Sequence, residues 1–285
     1  MDRTAPRLFV APEQLPAAGE LILEGPTQHY LGRVLRLGPG DRVVLLDGRG
    51  RICAATVTRL DAAQVALRLD APTATPDAAP DATPDAAPDA APDTTSDRGA
   101  QPSLPGPQLV LLCGLLKGEK QDFVVQKATE LGAAAIVPVA CQRSVPQLGE
   151  ERAEKRQQRW ARIALAAAQQ CRRPDVPRVH GPTSLAAALQ GCAPDPAALC
   201  LLLYEGPAAP LHALLPTTSE LAPRALATVR LLIGPEGGFS DAEVAAATAA
   251  GFLPASLGPR VLRAETAVVA ALAVLQYALA ASAAP

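Results

Sequence analysis

The chain has 285 residues, enough for two domains, and its 26 basic and 28 acidic side chains leave a formal charge of −2. So small a total supplies no field that would by itself mark a nucleic-acid or membrane partner. Six cysteines (Cys53, Cys113, Cys141, Cys171, Cys192 and Cys200) lie far apart, with no C-x-x-C pair and no histidine at ligand spacing, which predicts reduced thiols and no metal.

The opening MDRTAPRLFV has no apolar run of signal-peptide length, so the expected compartment is the cytoplasm. Residues 42–46 and 51–57 are β-prone runs separated by Asp47-Gly48-Arg49-Gly50, a hairpin signal, and 64–69 is a further β-prone run. Several short strands within 70 residues predict a small β-barrel or sandwich. From residue 75 to 93 a four-residue unit repeats, with proline at 76, 80, 84, 88 and 92 and aspartate after each. Proline lacks an amide donor, the aspartates repel one another and alanine offers little area to bury, so 71–107 is predicted to be an extended, disordered linker. That segment holds six acidic residues and one basic residue. The flanks are therefore mildly basic, with nine basic against eight acidic residues over 1–70 and sixteen against fourteen over 108–285.

Beyond the linker, strands and helices alternate. A strand is predicted over 108–113, a helix over 120–131 stopped by Gly132, and a strand over 136–139. A long helix over 150–171 ends before Pro174, apolar strands follow over 198–203 and 229–233, and a last helix begins after Arg263. This rhythm predicts a parallel α/β sheet. The apolar stretch 267–284 is dominated by alanine and interrupted by Gln276 and Tyr277. That composition suits a helix buried against a sheet or a partner subunit rather than a membrane span.

Two segments carry the chemistry. The first, IGPEGGFSDAEV over 233–244, follows a strand. Gly234, Gly237 and Gly238 let the backbone bend and approach a ligand, and Ser240 with Glu243 forms a capping box that starts a helix. It is neither a phosphate-cradling G-x-x-x-x-G-K-[ST] loop nor a G-x-G-x-x-G fingerprint. By itself an ordinary strand-to-helix turn also accounts for it, with Glu236 as an acceptor for nearby amides. The second, SLGPRVLRAET over 256–266, sets a Gly-Pro corner, Arg260, Arg263 and Glu265 ahead of the last helix. A solvated turn with a surface Arg–Glu pair accounts for it equally well.

Together these segments resemble the SPOUT methyltransferases, in particular the RsmE family, the ribosomal RNA small subunit methyltransferases E. HYLGRVLRLGPGD over 29–41 is similar to that family's PUA-like domain signature, and KGEKQDFVVQKATELG over 117–132 to the opening of its catalytic domain. Arg143-Ser144-Val145 and RWARIALAAAQQCRRPDVPRV over 159–179 are similar to family segments as well. The resemblance implies a small PUA-like β-barrel domain over 1–70 and, after the 71–107 linker, a SPOUT-type α/β domain with a C-terminal trefoil knot over 108–285. It implies S-adenosylmethionine as cofactor, a homodimer, and methylation of N3 of a uridine in 16S ribosomal RNA within the assembled small subunit.

Carried over position by position, the cofactor falls to Leu203 and Glu205 in a first loop and to Ile233, Gly234, Glu236, Gly237 and Gly238 in a second. The third loop contributes Leu257, Gly258, Arg260, Leu262 and Thr266. Arg263 would stabilise charge on the uracil carbonyls, and Glu265 would accept the imide proton or orient the arginine. The family often has Thr where this chain has Ala264.

Phosphate contact is expected from Arg7, Arg33, Arg36, Arg143, Arg172 and Arg173, while His29, within a structural signature, is expected to pack or touch RNA. Arg152, Arg159, Arg162 and Arg173 fall along one flank of the long helix, which a merely solvated face explains equally well. With 3% aromatic residues, stacking platforms are few, so recognition should depend on folded RNA shape. Two other readings stand beside this one: a ribose 2′-O-methyltransferase of the same fold, disfavoured by HYLGRVLR, and a non-catalytic ribosome-assembly protein, disfavoured by the intact loops.

Overall fold

The structure, a computed structural model, describes residues 5–70, 106–144, 150–192, 195–215 and 226–282, and the chain divides into two units, 1–101 and 102–285. In the first unit the strands are leucine- and valine-rich runs, with burial alternating along Glu20–Glu24 and continuous over residues 43–46. They are β1 (Arg7–Phe9), β2 (Glu20–Glu24), β3 (Arg42–Leu46), β4 (Ile52–Leu60) and β5 (Gln64–Leu69), in the sheet order β1-β3-β4-β5-β2. The β1–β3 pair is parallel and the others antiparallel. The expected hairpin pairs Leu46 with Ile52, and the Asp47 carboxylate accepts the amides of Arg49 and Arg51 at 2.7 and 2.9 Å. Leu21, Leu31, Leu45, Val57 and Leu67 fill the core.

Between β2 and β3 a short helix (Pro26–His29) runs into a π-type turn (Tyr30–Val34). His29, Arg33 and Arg36 are exposed there, and Arg36 has φ 55°. The expected linker, apart from Gly106 and Pro107, lies outside the described residues.

The second unit is a wholly parallel sheet. Its strands are β6 (Gln108–Gly114), β7 (Ala133–Ala140), β8 (Arg178–Val179), β9 (Thr183–Ser184), β10 (Ala198–Leu203), β11 (Ala209–Pro210), β12 (Thr228–Ile233) and β13 (Leu253–Ser256). The order is β11-β13-β10-β12-β6-β7-β8, with β9 also on β7. The strands of the sequence reading form as expected at 198–203, and extend by a few residues at 108–114, 133–140 and 228–233. Parallel strands need crossovers, supplied in part by helices α1 (Lys120–Glu130), α2 (Glu150–Cys171), α3 (Leu185–Gln190) and α4 (Asp241–Ala249). The last helix, α5 (Ala264–Ser282), closes the described chain.

Alternate residues of the central strands bury on opposite faces. Leu109, Leu111 and Cys113 pack with Val124, Val125, Trp160, Ala164, Val268 and Leu272 of α1, α2 and α5. Leu112, Leu202 and Leu232 point to the other face, under Leu185, Leu189 and Ala247 of α3 and α4. Asp122 pins α1 to α2 by accepting from Trp160 Nε1 and Arg159 Nε, both at 3.1 Å. No helix of the described residues is long and apolar enough to cross a membrane.

Helix α2 ends in a tight reversal. Arg172 takes φ 63°, a conformation that favours glycine, and the amides of Arg172 and Arg173 return to the carbonyls of Gln169 and Ala168. The reversal turns Arg173 inward, where Nη1 donates to Thr129 O at 2.7 Å and Ala133 O at 2.9 Å and the guanidinium pairs with Asp175. Its side chain is only 13% exposed. Arg173 therefore staples the α1–β7 turn, and the expected phosphate contact at this residue is corrected to a structural role.

Candidate active site

Because the strands of the second unit are parallel, the carboxyl ends of β10, β12 and β13 share one edge of the sheet, where open α/β sheets hold their ligands. The loops leaving those three neighbouring strands line a cleft of about 890 Å³, which fits a nucleoside-sized ligand.

The second loop is shaped by close backbone packing. Gly114, at the end of β6, lies against Gly234 and Pro235, and a Cβ there would stand 2.8 Å from Gly234 C and 2.6 Å from Pro235 Cδ. Pro235 O accepts the Gly238 amide at 2.9 Å, closing a turn in which Gly238 has φ 68°. The capping box predicted for α4 is present: Ser240 Oγ accepts the Glu243 amide and Glu243 Oε2 accepts the Ser240 amide. Glu243 also accepts the Gln142 amide at 2.7 Å, which ties the loop after β7 to the same turn. In the third loop Ser256 Oγ accepts the Gly258 amide at 3.1 Å, with Gly258 at φ 118°.

These contacts bring together most of the residues expected at the cofactor. Leu203 and Glu205, then Ile233, Gly234, Glu236, Gly237 and Gly238, then Leu257, Gly258, Arg260 and Leu262 all line the cleft, and so does Arg263. Thr266 does not. Its neighbours Ala264 and Ala267 face the cleft at helical spacing, and Thr266 is exposed. Ala264, where the family often has a hydroxyl, thus presents a methyl group to the cleft. Glu265 lies beside the cleft rather than on its wall, with Oε2 buried and lacking a hydrogen-bond partner.

Among the cleft residues not assigned to this site from the sequence are two cations. Arg143, expected at phosphate, lines the cleft and donates to Gly237 O at 3.1 Å. Lys120, the first residue of α1, has Nζ 3.2 Å from Glu236 Oε1 and 3.8 Å from Glu265 Oε1. Nothing local in the sequence marks Lys120 as the partner of glutamates more than a hundred residues later. Glu236 Oε1 also accepts the Lys117 amide at 3.2 Å. Burial pushes the Glu236 carboxyl up, but the amides of Lys117 and of Glu236 itself, together with Lys120, outweigh burial and hold it below its ordinary value. Burial raises the Cys141 thiol beneath the same loops to about 12, which makes it a poor nucleophile at neutral pH. Among the described residues no cluster of His, Cys, Asp and Glu suited to a metal is present.

Of the other expected RNA contacts, Arg7 lies on β1, Arg33 and Arg36 on the turn before β3, and Arg172 on the exposed reversal after α2.

The RNA methyltransferase domain family matches residues 103–276, and the RNA methyltransferase PUA domain family matches 23–70. A ribosomal RNA small subunit methyltransferase E from a Synechocystis species is 34% identical over 94% of this chain and 76% of its own length. The Bacillus subtilis protein of the same name is 29% identical over 93% of each chain. Among solved structures, a Neisseria gonorrhoeae ribosomal RNA small subunit methyltransferase E bound to S-adenosylmethionine superposes with a TM-score of 0.71. It is 27% identical, over 96% of this chain and 97% of that one.

Proposed function

The chain belongs to the ribosomal RNA small subunit methyltransferase E family, and we propose that its three-loop cleft binds S-adenosylmethionine and directs methyl transfer to N3 of a uridine in 16S ribosomal RNA. The observation that carries this reading is the convergence of the Leu203, Ile233–Gly238 and Leu257 loops with Arg260 and Arg263 on one cleft. The residues present fit the cofactor. Leu203, Ile233, Leu257 and Leu262 offer an apolar lining, and the glycines expose main-chain donors and acceptors for an adenosine and an amino acid.

The bound cofactor supplies an electrophilic methyl group on a sulfonium. With it bound, the cleft residues would hold uracil N3 in line with that methyl group, and the imide proton would have to leave as the methyl is transferred. The protein's work is therefore alignment, exclusion of water and stabilisation of the charge that moves onto the uracil oxygens. Arg263 takes the last task. Glu265, with one carboxylate oxygen unpaired, accepts the proton or orients Arg263. Arg263→Ala is expected to lower kcat roughly 100-fold with cofactor affinity changed less than about threefold, measured by single-turnover transfer and titration calorimetry. Equal kcat in the variant removes Arg263 from the chemistry.

The return of α5 from β13 to pack on α1 and β12 supports the trefoil knot implied by the resemblance. Homodimerisation is supported by the apolar side of the same chain segment that its own unit leaves uncovered: Val261, Val274 and Tyr277 are exposed, Tyr277 by 81%. Tyr277→Glu is expected to halve the mass seen by light scattering and to lower transfer in step. A wild-type protein of single-chain mass excludes the dimer. The 71–107 segment acts as a tether between an RNA-binding unit and a catalytic unit, and the protein works in the cytoplasm, on the small subunit.

The direct test is transfer of labelled methyl from S-adenosylmethionine to small subunits lacking the modification, beside protein-free ribosomal RNA. Transfer to subunits in clear excess over free RNA is expected. Transfer to neither, from a protein that binds the cofactor, would contradict the substrate assignment.

A further inference from the structure

Two acidic side chains from different cleft loops meet one ammonium. Glu236 belongs to the loop after β12, Glu265 to the first turn of α5, and Lys120 Nζ lies 3.2 and 3.8 Å from their Oε1 atoms. The turn into α1 wraps the same Glu236 oxygen through the Lys117 amide at 3.2 Å. Glu265 Oε2 is buried without a partner, an arrangement that is costly unless the working complex brings a donor. Remove the ammonium, and two carboxylates on neighbouring loops face each other with no cation between them.

We propose that Lys120 is a positioning residue for the cleft: its ammonium clamps Glu236 and Glu265 and holds the second loop against the start of α5. The effect on binding rests on the reading that this cleft takes S-adenosylmethionine. The clamp itself does not.

The side chains of Lys120, Glu236 and Glu265 are 39%, 26% and 16% exposed, so these pairs add little to global stability and act instead on the relative placement of two loops. That separates the clamp from a merely structural role. Titration calorimetry of S-adenosylmethionine with the full-length wild type, Lys120→Met and Lys120→Arg is read beside thermal melting. Lys120→Met is expected to weaken binding at least about tenfold while Tm falls by less than about 4 °C, and Lys120→Arg to restore most of the affinity.

Hydrogen exchange of the ligand-free protein judges the clamp without any ligand: Lys120→Met should speed exchange at residues 236–238 and 265–267. Wild-type affinity and unchanged exchange in Lys120→Met would overturn the proposal. So would an affinity loss that merely tracks Tm and that Lys120→Arg does not relieve. A wild type that binds no S-adenosylmethionine sinks the cofactor reading, while the exchange comparison still decides the clamp.

Discussion

Gly114→Ala is expected to lower S-adenosylmethionine affinity at least about a hundredfold and stability by roughly 1–3 kcal/mol. Gly114 does not need glycine for its own φ, which is not positive. It needs glycine because the neighbouring loop crosses directly over it. An added Cβ would stand 2.8 Å from Gly234 C and 2.6 Å from Pro235 Cδ, with Pro235 N closer still. Two of those three atoms are backbone, so no rotamer change relieves the clash; the second loop must lift from β6 and carry Glu236, Gly237 and Gly238 out of place. Calorimetry and thermal melting of the variant check this. Wild-type affinity in Gly114→Ala would show that the loop tolerates displacement, and that its close packing is not what shapes the cleft.

Arg173→Ala is expected to cost roughly 2–4 kcal/mol of unfolding free energy, in the range seen when one partner of a buried charge pair is removed. The guanidinium satisfies Thr129 O and Ala133 O and neutralises Asp175, whose side chain is 20% exposed. Alanine would leave two carbonyls short of a donor and a largely buried carboxylate without its arginine. Because the side chain is committed inside the unit, affinity for small subunits should not change among molecules that remain folded. Urea unfolding beside a subunit-binding assay decides the matter: unchanged stability with weakened binding would return Arg173 to the RNA surface.

The arginine pair 172–173 shows where sequence reading meets its limit. Two adjacent arginines after a long helix look alike in sequence, and both suit a phosphate backbone. Only the left-handed turn at Arg172 sends one outward and the other toward carbonyls 40 and 44 residues away in the chain. Local signals fared better where the physics is local. The Ser240–Glu243 capping box, the Asp47 hairpin and the apolar run at 198–203 are each written within a dozen residues, and each forms where the pattern places it.

Strands β8, β9 and β11 have two residues apiece, too few for any period to register. β13 reads Leu-Pro-Ala-Ser and holds its place at the far side of β10 through tertiary pairing rather than β-propensity. The order of parallel strands carries no local mark at all. For that reason the glycine and arginine loops could be singled out from sequence, while the backing of Glu236 by Lys117 and Lys120, from more than a hundred residues earlier, could not.

The same limit explains Thr266. In sequence it belongs to the string LRAET that marks the third loop, but the helix has already begun at Ala264, and helical rotation turns Ala264 and Ala267 to the cleft instead.

The measurement that bears most directly on the central claim is mass spectrometry of nucleosides from small-subunit RNA methylated by this protein with labelled S-adenosylmethionine. Labelled 3-methyluridine, formed roughly 100-fold more slowly when Arg263→Ala replaces the wild type under the same single-turnover conditions, is the predicted result. A label found on a ribose 2′-oxygen, or on any base other than uracil, would contradict the assignment of this cleft to uracil N3.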